Sequence, residues 1–296
     1  MRKLFNYTIQ SLKNSDFIKD IQQQGWKPYL VGGCVRDFLM CKSPKDIDII
    51  VVGCEKPDLI QILNKHGKSD LVGESFAVIK FHYKGETYDI STPRTEKKVG
   101  FGHKGFEVIS NKDITLEEDL FRRDITINSI AMDFDGKYVD PYGGIQDLKN
   151  KVIEITNIDA FTDDPLRILR CLRFSARFNF EIEEKTSKSI LKIKNEIREL
   201  SQERIVEEWN KTLDQSLKEG IDIMRRYVNL LFEYDMFPQM FPKMKINPNI
   251  EITILDNRII LYDLFIEMDK KGYMVNKLKF PSDLVNQIYF LHNFKG

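Results

Sequence analysis

The chain has 296 residues, with Lys plus Arg and Asp plus Glu both at 45, so the formal net charge is zero and any attraction to a polyanion must come from local patches. The length allows two domains, or one head with helical appendages. The four cysteines, Cys34, Cys41, Cys54 and Cys171, make no CxxC pair and no metal-ligand spacing; this argues against a disulfide framework or a zinc site and fits free thiols in a reducing cytosol.

Met1 to Tyr7 lacks the apolar core of a signal peptide, and no later run is long and uncharged enough to span a bilayer, so a cytoplasmic protein without a membrane partner is expected. Residues 8–24 place Ile9, Leu12, Phe17 and Ile21 among polar residues and predict an amphipathic packing helix leading into a strand at 28–31. Gly32 and Gly33 then precede a run with helical spacing that contains Arg36. Glycine permits a tight turn and lets backbone N–H groups approach a phosphate, and Arg36 offers a forked donor to the same anion. A plain strand-turn-helix is the competing reading.

Asp46 and Asp48 lie two apart on a β-branched run, so period-two geometry sets both carboxylates on one face. Two carboxylates that close repel unless a cation lies between them, and hard oxygens suit magnesium. A solvated strand edge is the alternative. Residues 57–66 predict a helix, and 77–83 and 87–91 predict paired strands around the turn at Lys84-Gly85-Glu86. Asp89 is a candidate third carboxylate if its strand lies beside the first and faces the same way; otherwise it is an ordinary polar face residue. The basic, glycine-rich stretch from Pro93 to Gly105 predicts a functional loop, in which His103 reads as solvated.

The segment Glu117 to Ala131 combines an acidic lead with twin arginines. Arg123 suits a triphosphate, with Asp124 holding its guanidinium and Asn128 bonding a sugar hydroxyl, against the alternative of a surface salt-bridge cluster. A hairpin over 133–140 and a turn over 141–144 close this half, and helical spacing takes over beyond about residue 150. Asp163 or Asp164, followed by Pro165, predicts a helix start. Along that helix Arg167, Arg170, Arg173 and Arg177 fall within an arc of about 120°, an arginine stripe with no acid between, which points to anion contacts rather than to a solvated face. Later segments around 187–200 and 203–213 read as structural, and the stretch 259–294 reads as helical, with Tyr289, Phe290 and Phe294 in its core.

Four motifs now stand in order: Val31 to Asp37, Asp46-Ile47-Asp48, Arg122 to Asn128, and Asp164 to Arg170. Together they resemble the class II tRNA nucleotidyltransferases, the CCA-adding enzymes and their poly(A) polymerase relatives, over roughly residues 25–225. The resemblance implies an α+β fold: a polymerase-β-like nucleotidyltransferase head with a mixed sheet over 1–150, an all-α neck over 151–225 and a short helical body and tail over 226–296. It implies that Gly32, Gly33 and Arg36 bind triphosphate, that Asp46 and Asp48 hold Mg2+, that Arg123 contacts the nucleotide, and that Asp164, Arg167, Arg170 and Arg173 read the base.

The function so implied is template-independent addition of C and A from CTP and ATP to the 3′ end of tRNA, releasing pyrophosphate. A poly(A) polymerase, or an enzyme adding only A or only CC, is the nearest alternative; a catalytically silent RNA-binding module and a small-molecule nucleotidyltransferase are more distant ones. The neck motif begins Asp163-Asp164 where the family usually has Glu-Asp. None of His66, His82, His103 and His292 is followed by Asp, so the phosphohydrolase activity of many bacterial relatives is not expected. Oligomeric state is not legible in the sequence.

Overall fold

A computed structural model describes residues 9–72, 78–98, 106–265, 274 and 278–293. His103, Phe294 and the loop beyond residue 98 lie outside the described residues. The chain divides into two compact units, Met1–Asn150 with Glu154–Ala160, and Lys151–Ile153 with Phe161–Gly296.

The first unit is built on β1 (Lys27–Val31), β2 (Asp48–Val52), β3 (Lys68–Val72), β4 (Val78–Tyr83), β5 (Glu86–Ser91), β8 (Ala131–Asp133) and β9 (Tyr138–Val139). They form one seven-stranded sheet in the order β3-β4-β5-β2-β1-β8-β9. Only the β2–β5 pairing is parallel, so the sheet is mixed, as the fold class implies. β6 (Thr95–Lys98) and β7 (Phe106–Ile109) make a separate antiparallel ribbon.

Alternation along β1 and β2 sorts the core. Leu30, Ile49 and Val51 pack with α1 (Asp16–Gln23), α2 (Gly33–Leu39) and α3 (Lys56–Leu63) through Phe17, Ile21, Val35, Leu59 and Leu63. Val31 and Ile50 face the other way, onto Leu116 and Leu120 of α4 (Leu116–Phe121). Each such fully buried side chain contributes about 1.5–3 kcal/mol, which fixes the strand register, because a one-residue slip would exchange the two faces. Asp48 shares its side of β2 with Ile50, so register alone places its carboxylate on the face that α4 covers. α4 starts cleanly because Thr115 and Glu118 form a capping box, the Glu118 amide donating to Thr115 Oγ1 at 3.2 Å and the Thr115 amide to Glu118 Oε2 at 2.8 Å.

The single helix expected over 8–24 is broken. A turn of helix at 9–13 ends at Asn14-Ser15 before α1 begins, and Ser15 Oγ donates to the Leu12 carbonyl at 2.6 Å, a local bond that competes with helix continuation.

The second unit carries α6 (Leu166–Phe178), α7 (Glu184–Ile193), α8 (Gln202–Glu219), α9 (Asp222–Glu233), α10 (Asn257–Leu264) and α11 (Ser282–Asn293), following α5 (Gly144–Asn150) of the first. A short parallel pair, β10 (Val152–Ile153) with β11 (Glu181–Ile182), joins the chain leading into α6 to the chain leaving it. The stretch 259–294 is therefore not one helix: α10 ends at Leu264, Phe265 is extended, and α11 begins after Pro281. Tyr289 and Phe290, expected in its core, are 36% and 58% exposed.

Candidate functional site

The turn after β1 does need glycine at one position. Gly32 has φ +70°, its amide donates to the Ile130 carbonyl at 3.0 Å, and an added Cβ would meet Arg123 Nη1 at 2.6 Å. Gly33 begins α2 with ordinary room, the nearest atom to an added Cβ being Arg36 Nη2 at 3.5 Å. What the Gly32 position makes space for is the Arg123 guanidinium.

Arg36 is placed differently from the expectation of a phosphate ligand. Only 4% exposed, it donates to Asp37 Oδ1 from Nε and Nη2 at 2.9 and 2.8 Å and to Asn128 Oδ1 from Nη1. Asn128 in turn donates from Nδ2 to Asp124 Oδ1 at 3.0 Å, and the same oxygen receives the Ile125 amide at 2.9 Å. Asn128, expected to bond a sugar hydroxyl, is buried with both ends of its amide engaged in this chain of bonds. Arg36, Asn128 and Asp124 thus brace the segment that lies beneath the glycine turn.

The two aspartates are not both on the strand. β2 starts at Asp48, and Asp46 lies in the bend before it with its side chain 67% exposed and Lys45 Nζ 3.9 Å away. β5 does lie beside β2 in parallel, with Asp89 opposite Asp48, which meets the condition set for a third carboxylate. Lys80, across from Asp89 on β4, places its Nζ 2.9 Å from Asp89 Oδ1. Burial pushes the Asp48 carboxyl up to about 6, Arg123 opposes that rise, and Asp89 and Asp46 add to it.

Among the described residues, no three His, Cys, Asp or Glu side chains are grouped to hold a metal ion. The Asp46/Asp48 pair nevertheless fits a hard divalent cation of the kind that takes one or two protein carboxylates and fills its remaining positions with water and phosphate. An ion there would offset the charge that makes ionised Asp48 costly.

Asp119 holds the Arg123 guanidinium, alongside the Asp124 to which the sequence pointed. Asp119 Oδ2 accepts from Arg123 Nε at 3.3 Å and Nη2 at 3.0 Å, while Oδ1 accepts from Arg122 Nε at 3.0 Å and Nη2 at 2.6 Å. The Arg94 amide also donates to Oδ1, at 3.2 Å. Burial opposes ionisation of Asp119, but Arg123 and Arg122 outweigh it and hold the carboxyl below the usual aspartate range. The signal was present in the spacing: Asp119 precedes the two arginines by three and four residues, which puts all three on one side of a helical turn.

In the second unit Asp164 stands at the start of α6. Its Oδ1 accepts the Leu166 amide at 3.2 Å, in keeping with the predicted helix start, and Arg204 of α8 clamps it from Nη1 at 3.1 Å and Nη2 at 2.9 Å. The arginine stripe meets acids that the sequence did not place. Arg173 Nε is 2.8 Å from Glu208 Oε2, Arg170 Nη1 is 3.9 Å from Oε1, and Arg177 Nη2 is 2.7 Å from Glu219 Oε1. Arg173 is buried and stacks its guanidinium 4.5 Å from the Phe174 ring. The stripe is thus largely a helix-to-helix seam, with Asp164 and Arg167 at its opening end. No described helix is long and apolar enough to cross a membrane.

Residues 28–154 match the family described as "Poly A polymerase head domain", and residues 179–246 match "Probable RNA and SrmB- binding site of polymerase A". A Multifunctional CCA protein of Shewanella frigidimarina (strain NCIMB 400) is 39% identical over 220 residues, covering 72% of this chain and 50% of that protein. The chain spans about half the length of the curated relatives it matches first. Among solved structures, a CCA-adding enzyme in its apo form II superposes with a TM-score of 0.77 at 24% identity, over 97% of this chain and 73% of that one. A tRNA nucleotidyltransferase complexed with a primer tRNA and an incoming ATP analogue superposes with a TM-score of 0.74 at 23% identity, over 94% and 84%. At these identities the two structures establish the fold.

Proposed function

The chain belongs to the family of CCA-adding enzymes and poly(A) polymerases, and from that premise we propose that it adds C and A from CTP and ATP to the 3′ end of tRNA. The 3′ hydroxyl oxygen forms a bond to the α-phosphorus of the nucleotide, the bond to the β-phosphate bridge breaks, and pyrophosphate leaves. The observation that carries this reading is the Arg123 guanidinium laid over Gly32, with the carboxylate of Asp48 in its field.

The residues divide the work. Gly32 makes the turn, Gly33 at the start of α2 brings its backbone amide to the triphosphate, and Arg123 supplies the positive charge beside them. Arg36 contributes by bracing that turn through Asn128. Asp46 and Asp48, with Asp89 as a third candidate, would hold Mg2+. When bound, the metal lowers the pKa of the attacking hydroxyl and steadies the leaving pyrophosphate. No histidine base is then needed.

Base choice falls to Asp164 and Arg167. Cytosine and adenine both present an exocyclic amine beside a ring-nitrogen acceptor, so a carboxylate acceptor next to a guanidinium donor suits both, whereas uracil and guanine present a carbonyl beside an N–H. The two-pronged clamp from Arg204 fixes the direction of the Asp164 carboxylate. Arg170 and Arg173 support this end of the helix through Glu208. Incubating the protein with tRNA lacking its 3′ end and each labelled nucleotide tests the reading. Incorporation from CTP and ATP but not from UTP or GTP is expected, and a long A tail on unrelated RNA overturns it in favour of a poly(A) polymerase.

A further inference from the structure

More donors converge on Asp119 than on Asp46, Asp48 or Asp89. Asp119 is 0% exposed, and its two oxygens are shared among three partners. Oδ2 serves Arg123 alone through Nε and Nη2, and Oδ1 serves Arg122 and the Arg94 amide. Arg122 Nε also donates to the Arg94 carbonyl at 3.0 Å, so the Oδ1 side is closed by the root of the β6–β7 ribbon. Arg123 is then fixed by three donors, Nε and Nη2 on Oδ2 and Nη1 toward the Asn128 carbonyl at 3.5 Å, which leaves Nη1 over the open side of Gly32.

We propose that Asp119 is the positioning residue of the nucleotide site, setting the Arg123 guanidinium over the glycine turn so that its outward edge meets the triphosphate. The inference rests on the nucleotide-transfer reading above. A long arginine side chain has many rotamers, and an anchor that removes this freedom before substrate arrives strengthens each bond then made. Asp119 does not touch the substrate and acts through Arg123.

The geometry specifies what an amide does at this position. In Asp119→Asn the single carbonyl oxygen is best kept on the Oδ1 side, where three donors wait, and the NH2 group then faces the Arg123 guanidinium, donor against donor. Steady-state addition to tRNA lacking its 3′ end tests this, with nucleotide and tRNA varied in turn. Losing an anchor of this charge-assisted kind is expected to raise the KM for CTP and for ATP about tenfold while the KM for tRNA stays within about twofold. Adding Asp119→Asn to Arg123→Gln is expected to cause no further loss in kcat/KM, since a residue that acts only through Arg123 has nothing left to act on. Asp119→Glu, which keeps both oxygens, is expected to recover part of the nucleotide affinity and guards against a result due to unfolding. An unchanged nucleotide KM in Asp119→Asn, or additive losses in the double variant, overturns the proposal. A wild-type protein that adds no nucleotide overturns the underlying reading instead.

Discussion

Gly32 shows how far a single residue can be read. A glycine after a strand announces a turn, but only the structure gives the reason at this one: φ is +70° and a Cβ would stand 2.6 Å from Arg123 Nη1. Gly32→Ala is therefore expected to cost about 1–2 kcal/mol of stability from backbone strain and to weaken nucleotide binding as well, because the guanidinium must move; thermal melts and nucleotide titration measure the two effects separately. Asp48 carries a pH dependence. Its folded value of about 6 lies above the ordinary aspartate value, so ionising it costs the folded state stability as pH rises toward and through 6. A divalent cation offsets that cost only where the carboxylate is ionised. Added Mg2+ is thus expected to raise the melting temperature more at pH 7.5 than at pH 5, and in Asp48→Asn the difference between the two pH values is expected to vanish. Asp119 has the opposite sign. Its depressed folded value contributes stability above the ordinary carboxylate value of about 4, lost as pH falls below it, so the acid limb of the melting curve is expected to flatten in Asp119→Asn. The sequence showed the acidic lead and the twin arginines, and the spacing of three and four residues carried the signal for Asp119 as a holder of Arg123, a signal that composition alone does not give.

At the scale of elements, the parts that follow from local periodicity were legible: the β1 turn, the β2 strand with the β4–β5 pair beside it, and the start of α6. What was not legible is pairing at a distance. The arginines of α6 have no acid among them in the sequence, and Glu208, 35 residues beyond Arg173, is invisible to a helical-arc argument. Glu208 is fully buried, and burial opposes its ionisation while Arg173 and Arg170 outweigh burial and hold its carboxyl below the usual range. Glu208→Gln is expected to cost about 2 kcal/mol, since a buried guanidinium keeps a hydrogen bond and loses its counter-charge. Chemical denaturation measures that loss, and a variant as stable as the parent contradicts the seam. The long amphipathic segment at 8–24 failed as one helix for a local reason instead, the Ser15 hydroxyl bonding back to Leu12.

At the scale of the whole molecule, four short motifs spread over some 140 residues identify a family that net charge and composition leave open. Each motif is weak alone: a glycine turn, an Asp-x-Asp, an Arg-Arg-Asp and a helix start. The sheet explains how three of them meet within one unit, since β1 delivers Gly32, β2 delivers Asp48, and α4, packed on the same face, leads into Arg122 and Arg123, the latter beside Gly32. The fourth lies in the helical unit, on α6. Sequencing the 3′ ends made from tRNAs that stop before CCA, after C and after CC, with CTP, ATP and Mg2+ present, tests for CCA addition. All three are expected to end uniformly in CCA, and Asp48→Asn, still folded, is expected to extend none of them. Open-ended A tracts, or equal extension by Asp48→Asn and the parent protein, contradict this reading.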